Sequence, residues 1–150
     1  MKKITLLFLL IPIIGISQIK KVEEIESTSL GKIPKKGAMI AEIRKFQDDN
    51  YAFYYKNMEY ESIVDYKYFS FKDIDNAFDN LYETIIKGFE KAPEEPIILE
   101  LPSSVLHLYF KKKSRKKIVL MIFNIDNKNN DSSHTAFLSM SDINILFGKK

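Results

Sequence analysis

The sequence predicts an α+β domain in which an antiparallel sheet of about six or seven strands packs against one long helix, with a short helix at the C-terminus. Three observations predict it. One segment carries a single apolar stripe at helical spacing, and the segments on either side carry short aromatic and β-branched runs bounded by turn residues. The connections between those runs are of hairpin length. One long helix cannot supply the crossovers that a parallel sheet needs.

The elements follow in chain order. Met1-Lys2-Lys3 precedes an apolar run from Ile4 to Ile14, which ends at the small residues Gly15 and Ser17. That order of charged, apolar and small-x-small segments is the signature of a cleavable signal peptide, residues 1–17, and the apolar core is too short to span a bilayer. Residues 18–37 read as a loose N-terminal arm or short strand, because termini order only when something ties them down. The domain is expected from 38 to 150. Ala38 to Phe46 and Tyr51 to Tyr55 read as strands on either side of the turn Gln47-Asp48-Asp49-Asn50. From Met58 the pattern alternates. Met58, Tyr60, Val64, Tyr66 and Tyr68 fall on one face and Glu59, Glu61, Asp65 and Lys67 on the other, as in a half-buried strand with its polar side outward.

At Ser70 the period changes. Ile74, Phe78, Leu81, Tyr82, Ile85, Ile86 and Phe89 make one helical stripe, with Asp75, Asp79 and Glu83 facing away. Ser70 and Asp73 have the spacing of a capping box, and the helix is expected to end near Lys91, before Pro93 and Pro96. Four strand-like runs follow: Ile97 to Leu101, Val105 to Phe110, Lys117 to Asn124, and His134 to Met140. Ser141 is the expected cap of the short helix bearing Ile143, Leu146 and Phe147, with Gly148 as its stop. No internal repeat is strong enough to defend, although two strand groups flanking the long helix leave a weak duplication open.

Composition narrows the function classes. When Lys2 and Lys3 leave with the signal, the 23 Lys and Arg fall to 21 against 20 Asp and Glu, a net charge of +1. That balance argues against nucleic acid as the partner. The chain has no cysteine, so an exported form relies on packing alone and has no cysteine to carry a lipid. No later apolar run approaches the roughly 20 residues of a membrane helix. Heavy use of Lys, Ile and Asn suits a low-GC bacterium. The expected destination is the periplasm or the extracellular space.

Two features offer a binding surface. Lys111, Lys112, Lys113, Arg115, Lys116 and Lys117 crowd one turn between strands, where clustered cations attract anionic polymers. Alternatively, the same charges simply keep two apolar strands from pairing edge to edge with other chains. Aromatic residues are dense from Tyr51 to Phe71. Most must pack under the helix, leaving Tyr54, Tyr55 and Tyr60 as the expected exposed contact set.

Catalytic and metal motifs are weaker. His107 and His134 are the only histidines, and no nucleophile-elbow motif accompanies them. The segment from Asp126 fails as a calcium loop, because Lys128, Asp131 and Phe137 stand at its third, sixth and twelfth positions. No cofactor is expected. The favoured reading is a non-catalytic exported domain that binds a protein or an anionic polymer of the cell envelope. One alternative is a small secreted hydrolase using His107 or His134 with a nearby carboxylate. Another is a self-assembling subunit that forms a homodimer.

Overall fold

The computed structural model describes residues 26–35, 37–60, 62–113, 118–127 and 131–149, and over them the chain folds as α+β with two antiparallel sheets and two helices. Strands β1 (Ser27–Lys35), β2 (Ala38–Phe46), β3 (Asn50–Lys56) and β4 (Tyr66–Lys72) form one meander, followed by helix α1 (Ala77–Lys91). Strands β5 (Ile97–Glu100), β6 (Ser104–Lys113), β7 (Ile118–Asn127) and β8 (Ser132–His134) form a second, followed by helix α2 (Met140–Leu146). The order is therefore four strands and a helix, twice. The expected signal peptide, residues 1–17, lies outside the described residues. Of the segment expected as an arm or short strand, residues 27–35 form β1, paired with β2 along its length.

The single sheet of six or seven strands is corrected to two sheets of four strands each. Their inner faces share one core instead of joining edge to edge. Phe53 and Phe69, neighbours across β3 and β4, stack at 5.0 Å, and Phe123 of β7 tilts onto Phe53 at 5.1 Å. Burying three large rings between two sheets removes more apolar surface than extending either sheet sideways. α1 adds Phe78, which stacks on Tyr51 at 4.2 Å, and Phe89, which meets Phe110 edge-on at 5.4 Å. Gly88 lets that helix approach, since a Cβ there would fall 2.1 Å from the Phe110 ring. α2 closes the core with Ile143, Leu146 and Phe147.

Three local expectations shift. The alternating strand begins at Tyr66 and not at Met58, and Phe69 and Phe71 take the core side while Tyr66 and Tyr68 face solvent. A run of Tyr-Lys-Tyr-Phe-Ser-Phe offers two apolar phases, and the sheet selects the one whose rings carry no hydroxyl to satisfy. Ser70 stays on β4, so α1 starts later. Its first turn is held instead by the Asp73 carboxylate, which accepts from the Phe78 N–H at 2.9 Å. For α2 the cap is Ser139, not Ser141. Its hydroxyl accepts from the Asp142 N–H, while the Asp142 carboxylate accepts from the Ser139 N–H at 2.8 Å, a reciprocal capping box.

Candidate binding face

The outer face of the first sheet carries the candidate site. Cross-strand register sets Glu42, Tyr54 and Tyr68 in one row and Arg44, Ala52 and Ser70 in the next. Tyr54 and Tyr68 lie 5.4 Å apart with their planes tilted by 34°, and Tyr68 is 59% exposed. The 3-10 turn Gln47–Asp49 rises beside them and makes the face concave. Asp48 and Asp49 take left-handed backbone there, a conformation that aspartate tolerates better than most residues.

Three concavities of about 790, 540 and 640 Å³ follow one another along this face. The first and second share Phe46 and Gln47, and the second and third share Tyr68 and Ser70. They form one trough. It runs from Ser27 and Thr28 on β1 across the sheet to Pro102, Ser103 and Asp131. Crossing four strands takes three steps of about 4.8 Å, so the trough exceeds roughly 14 Å before it reaches the β5–β6 turn.

The cations beside the trough are partnered. Arg44 Nε donates to Glu42 Oε1 at 3.1 Å, Lys45 Nζ meets Asp49 at 2.9 Å, and Lys67 Nζ meets Asp131 at 2.6 Å. Burial pushes the Glu42 carboxyl up, but hydrogen bonds from Ser29 and Arg44, with the charges of Arg44 and Lys32, outweigh it and hold the group below its usual value. The Lys45 ammonium is held above its ordinary range by its bond to Asp49 and by Tyr51. With its cations paired, the trough presents tyrosine faces, the neutral polar groups Gln47, Asn50, Ser70 and Ser103, and the exposed carboxylates of Glu26 and Asp48.

No family model, curated protein or solved structure matches this chain.

The residues expected as one binding set separate in space. Tyr54 is half-buried in the trough, and Tyr60 is 58% exposed in the loop between β3 and β4. Tyr55 is corrected: it is fully buried on the inner face, where its hydroxyl lies 2.8 Å from the Ser133 hydroxyl. Neighbouring strand residues point to opposite faces, so Tyr54 and Tyr55 cannot both be surface contacts. Lys111, Lys112 and Lys113 are exposed at the far end of β6. Roughly 23–31 Å of strand separates them from Ser104, the residue after the trough end at Ser103. Arg115, Lys116 and Lys117 lie outside the described residues. Tyr68, the most exposed ring in the trough, was hidden from sequence reasoning by the phase of β4.

The two histidines converge. Register places Ile98, His107, Asn124 and His134 in one row on the outer face of the second sheet. His107 Nε2 lies 3.1 Å from Asp126 Oδ2. Neither histidine lines the trough. Among the described residues no cluster of three or more His, Asp and Glu side chains is placed to hold a metal ion, and no helix is long and apolar enough to cross a membrane.

Proposed function

We propose that this chain is a non-catalytic exported domain that binds a hydroxyl-rich polymer of the cell envelope, a glycan chain, along the trough of the first sheet. The observation that carries the reading is the Tyr54–Tyr68 pair at the centre of a continuous concavity whose cations are already paired. Aromatic faces accept the C–H faces of sugar rings, and flanking amides and hydroxyls exchange hydrogen bonds with sugar hydroxyls. A trough open along its length favours a chain over a compact ligand. An anionic polymer is supported less at this face than at Lys111, Lys112 and Lys113, where the cations are exposed. The run of residues 1–17 supports export.

The test is titration calorimetry with soluble neutral and uronic-acid polysaccharides and their hexasaccharides. Tyr68→Ala removes an exposed ring and its cross-strand contact with Tyr54, so stability is expected to fall by about 1 kcal/mol or less. Affinity is expected to fall about tenfold, the equivalent of roughly 1.4 kcal/mol of lost stacking. Binding that Tyr68→Ala leaves unchanged, or no binding to any polysaccharide, overturns the reading.

The His107–Asp126 contact favours a second reading, a hydrolase with His107 as general base oriented by a carboxylate. Hydrolysis of ester or glycoside substrates that His107→Ala abolishes would put this reading first.

A further inference from the structure

A second concavity, of about 400 Å³, lies between the first turns of α1 and strand β5, and its chemistry is the opposite of the trough's. Phe71, Leu81, Leu99 and Leu101 make it apolar. Its rim is acidic, with Asp75 and Glu100 both exposed. The one cation among its lining residues, Lys72, sits near enough to Asp49 to help depress that carboxyl, after the larger effect of Lys45. Two rim donors are spent internally. The Asn80 amide nitrogen donates to the Asp75 carbonyl at 2.9 Å, and the Thr84 hydroxyl donates to the Asn80 carbonyl at 2.8 Å. With two carboxylates against the single Lys72 ammonium, the rim's charge is net negative by one.

β5 is an edge strand. It pairs with β6 on one side and, among the described residues, with no strand on the other. An edge strand presents unpaired N–H and C=O groups, and an extended peptide can add to them. Pro96 and Pro102 bracket this edge, so added pairing is limited to about four residues, roughly 13 Å. Side chains along β5 alternate, with Leu99 on the core side and Ile98 and Glu100 exposed. A strand laid beside it would meet Leu99 with an apolar residue and Glu100 with the next one, and the favourable partner for Glu100 is Lys or Arg.

We propose that the α1–β5 cleft is a docking site for an extended segment of a partner protein in which apolar and basic residues alternate, added along β5 as a fifth strand of the second sheet. The apolar side chains enter the cleft beside Leu99, and the basic ones, on the opposite face of the added strand, pair with Glu100. The cleft and the trough share only Pro102 among their lining residues, so the domain would join a polymer to a protein.

The experiment uses fluorescence anisotropy with three labelled octapeptides: alternating Val and Lys, alternating Val and Glu, and the Val/Lys peptide N-methylated at alternate residues. The Val/Lys peptide is expected to bind at least tenfold more tightly than either of the others. Glu100→Lys, an exposed change that circular dichroism is expected to find folded, should reverse the charge preference. Tyr68→Ala should leave peptide binding unchanged, which separates this site from the trough. Binding indifferent to charge, to N-methylation or to Glu100→Lys overturns the proposal. So does a concentration-dependent mass of the protein alone that Glu100→Lys abolishes, because the occupant is then a second copy.

Discussion

Removing the hydroxyl of Tyr55 tests whether the two sheets are held by a specific polar contact as well as by packed rings. Tyr55 on β3 and Ser133 on β8 are buried, 78 residues apart in sequence, with their oxygens 2.8 Å apart. Tyr55→Phe keeps the ring but leaves the Ser133 hydroxyl without this partner, at a cost of about 1–3 kcal/mol. Ser133→Ala strands the Tyr55 hydroxyl at a similar cost. The double variant leaves neither group stranded, so it should lose less than the two single losses added together, by about 1 kcal/mol. pH gives a second readout. Burial pushes the Tyr55 hydroxyl from 10.0 up to about 12, the Ser133 bond opposes this, and Asp131 and Asp65 add to the rise. The unfolded chain thus ionises first as pH rises. The stabilisation is intact below about pH 10 and lost between 10 and about 12, where it amounts to roughly 3 kcal/mol. Urea denaturation of wild type and Tyr55→Phe across pH 8 to 12 measures the difference between them. Wild type should lead by about 1–3 kcal/mol at pH 8 and lose that lead by pH 12. A constant gap, or a double variant whose loss equals the two single losses combined, refutes the reasoning.

Two further stability predictions follow from close packing and polar satisfaction. At Gly31 a Cβ would fall 1.8 Å from the Ile145 carbonyl oxygen, so Gly31→Ala must force β1 away from α2. With backbone as the obstacle, it is expected to cost about 2–3 kcal/mol in chemical denaturation. Gly37, with φ of 81° and nothing within 4 Å of a Cβ, should lose only about 1 kcal/mol on the same change. Equal losses at the two glycines would rule out the β1–α2 contact as the cause. Ser104 is fully buried and, among the described residues, its hydroxyl has no hydrogen-bond partner. Ser104→Ala should therefore be neutral or raise stability by up to about 1 kcal/mol, and a loss above 1 kcal/mol in the same assay would contradict this.

Legibility in the sequence differed by element. The stripe from Phe78 to Phe89 was readable because helical spacing repeats along one segment and needs no partner to be recognised. Strands β5 to β7 were equally visible, although β6 and β7 run longer than their apolar cores suggest. The expected strand His134 to Met140 is corrected: β8 is Ser132–His134, and Met140 already begins α2. β4 misled because Tyr66 and Tyr68 offer one apolar face and Phe69 and Phe71 the other, one residue out of phase. Only packing against Phe53 and Phe123 chose between them. Tyr55 looked like Tyr54 for the same reason. The candidate site was legible as a dense aromatic segment, but not as a trough, which depends on rows of residues drawn from four strands.

By itself, then, the sequence determined local periodicity: the long helix, most of the strand segments, their antiparallel pairing, and where the charge lies. These follow from backbone geometry acting over a few residues. The tertiary structure decided that the strands divide into two sheets, that Tyr68 faces the trough and Tyr55 the core, and that His107, Asn124 and His134 share one row. It also set the exposed lysines of β6 apart from the tyrosine face. Each of these depends on register and facing between strands far apart in the chain. Register is set by the total apolar surface removed from water, a quantity that no single segment carries.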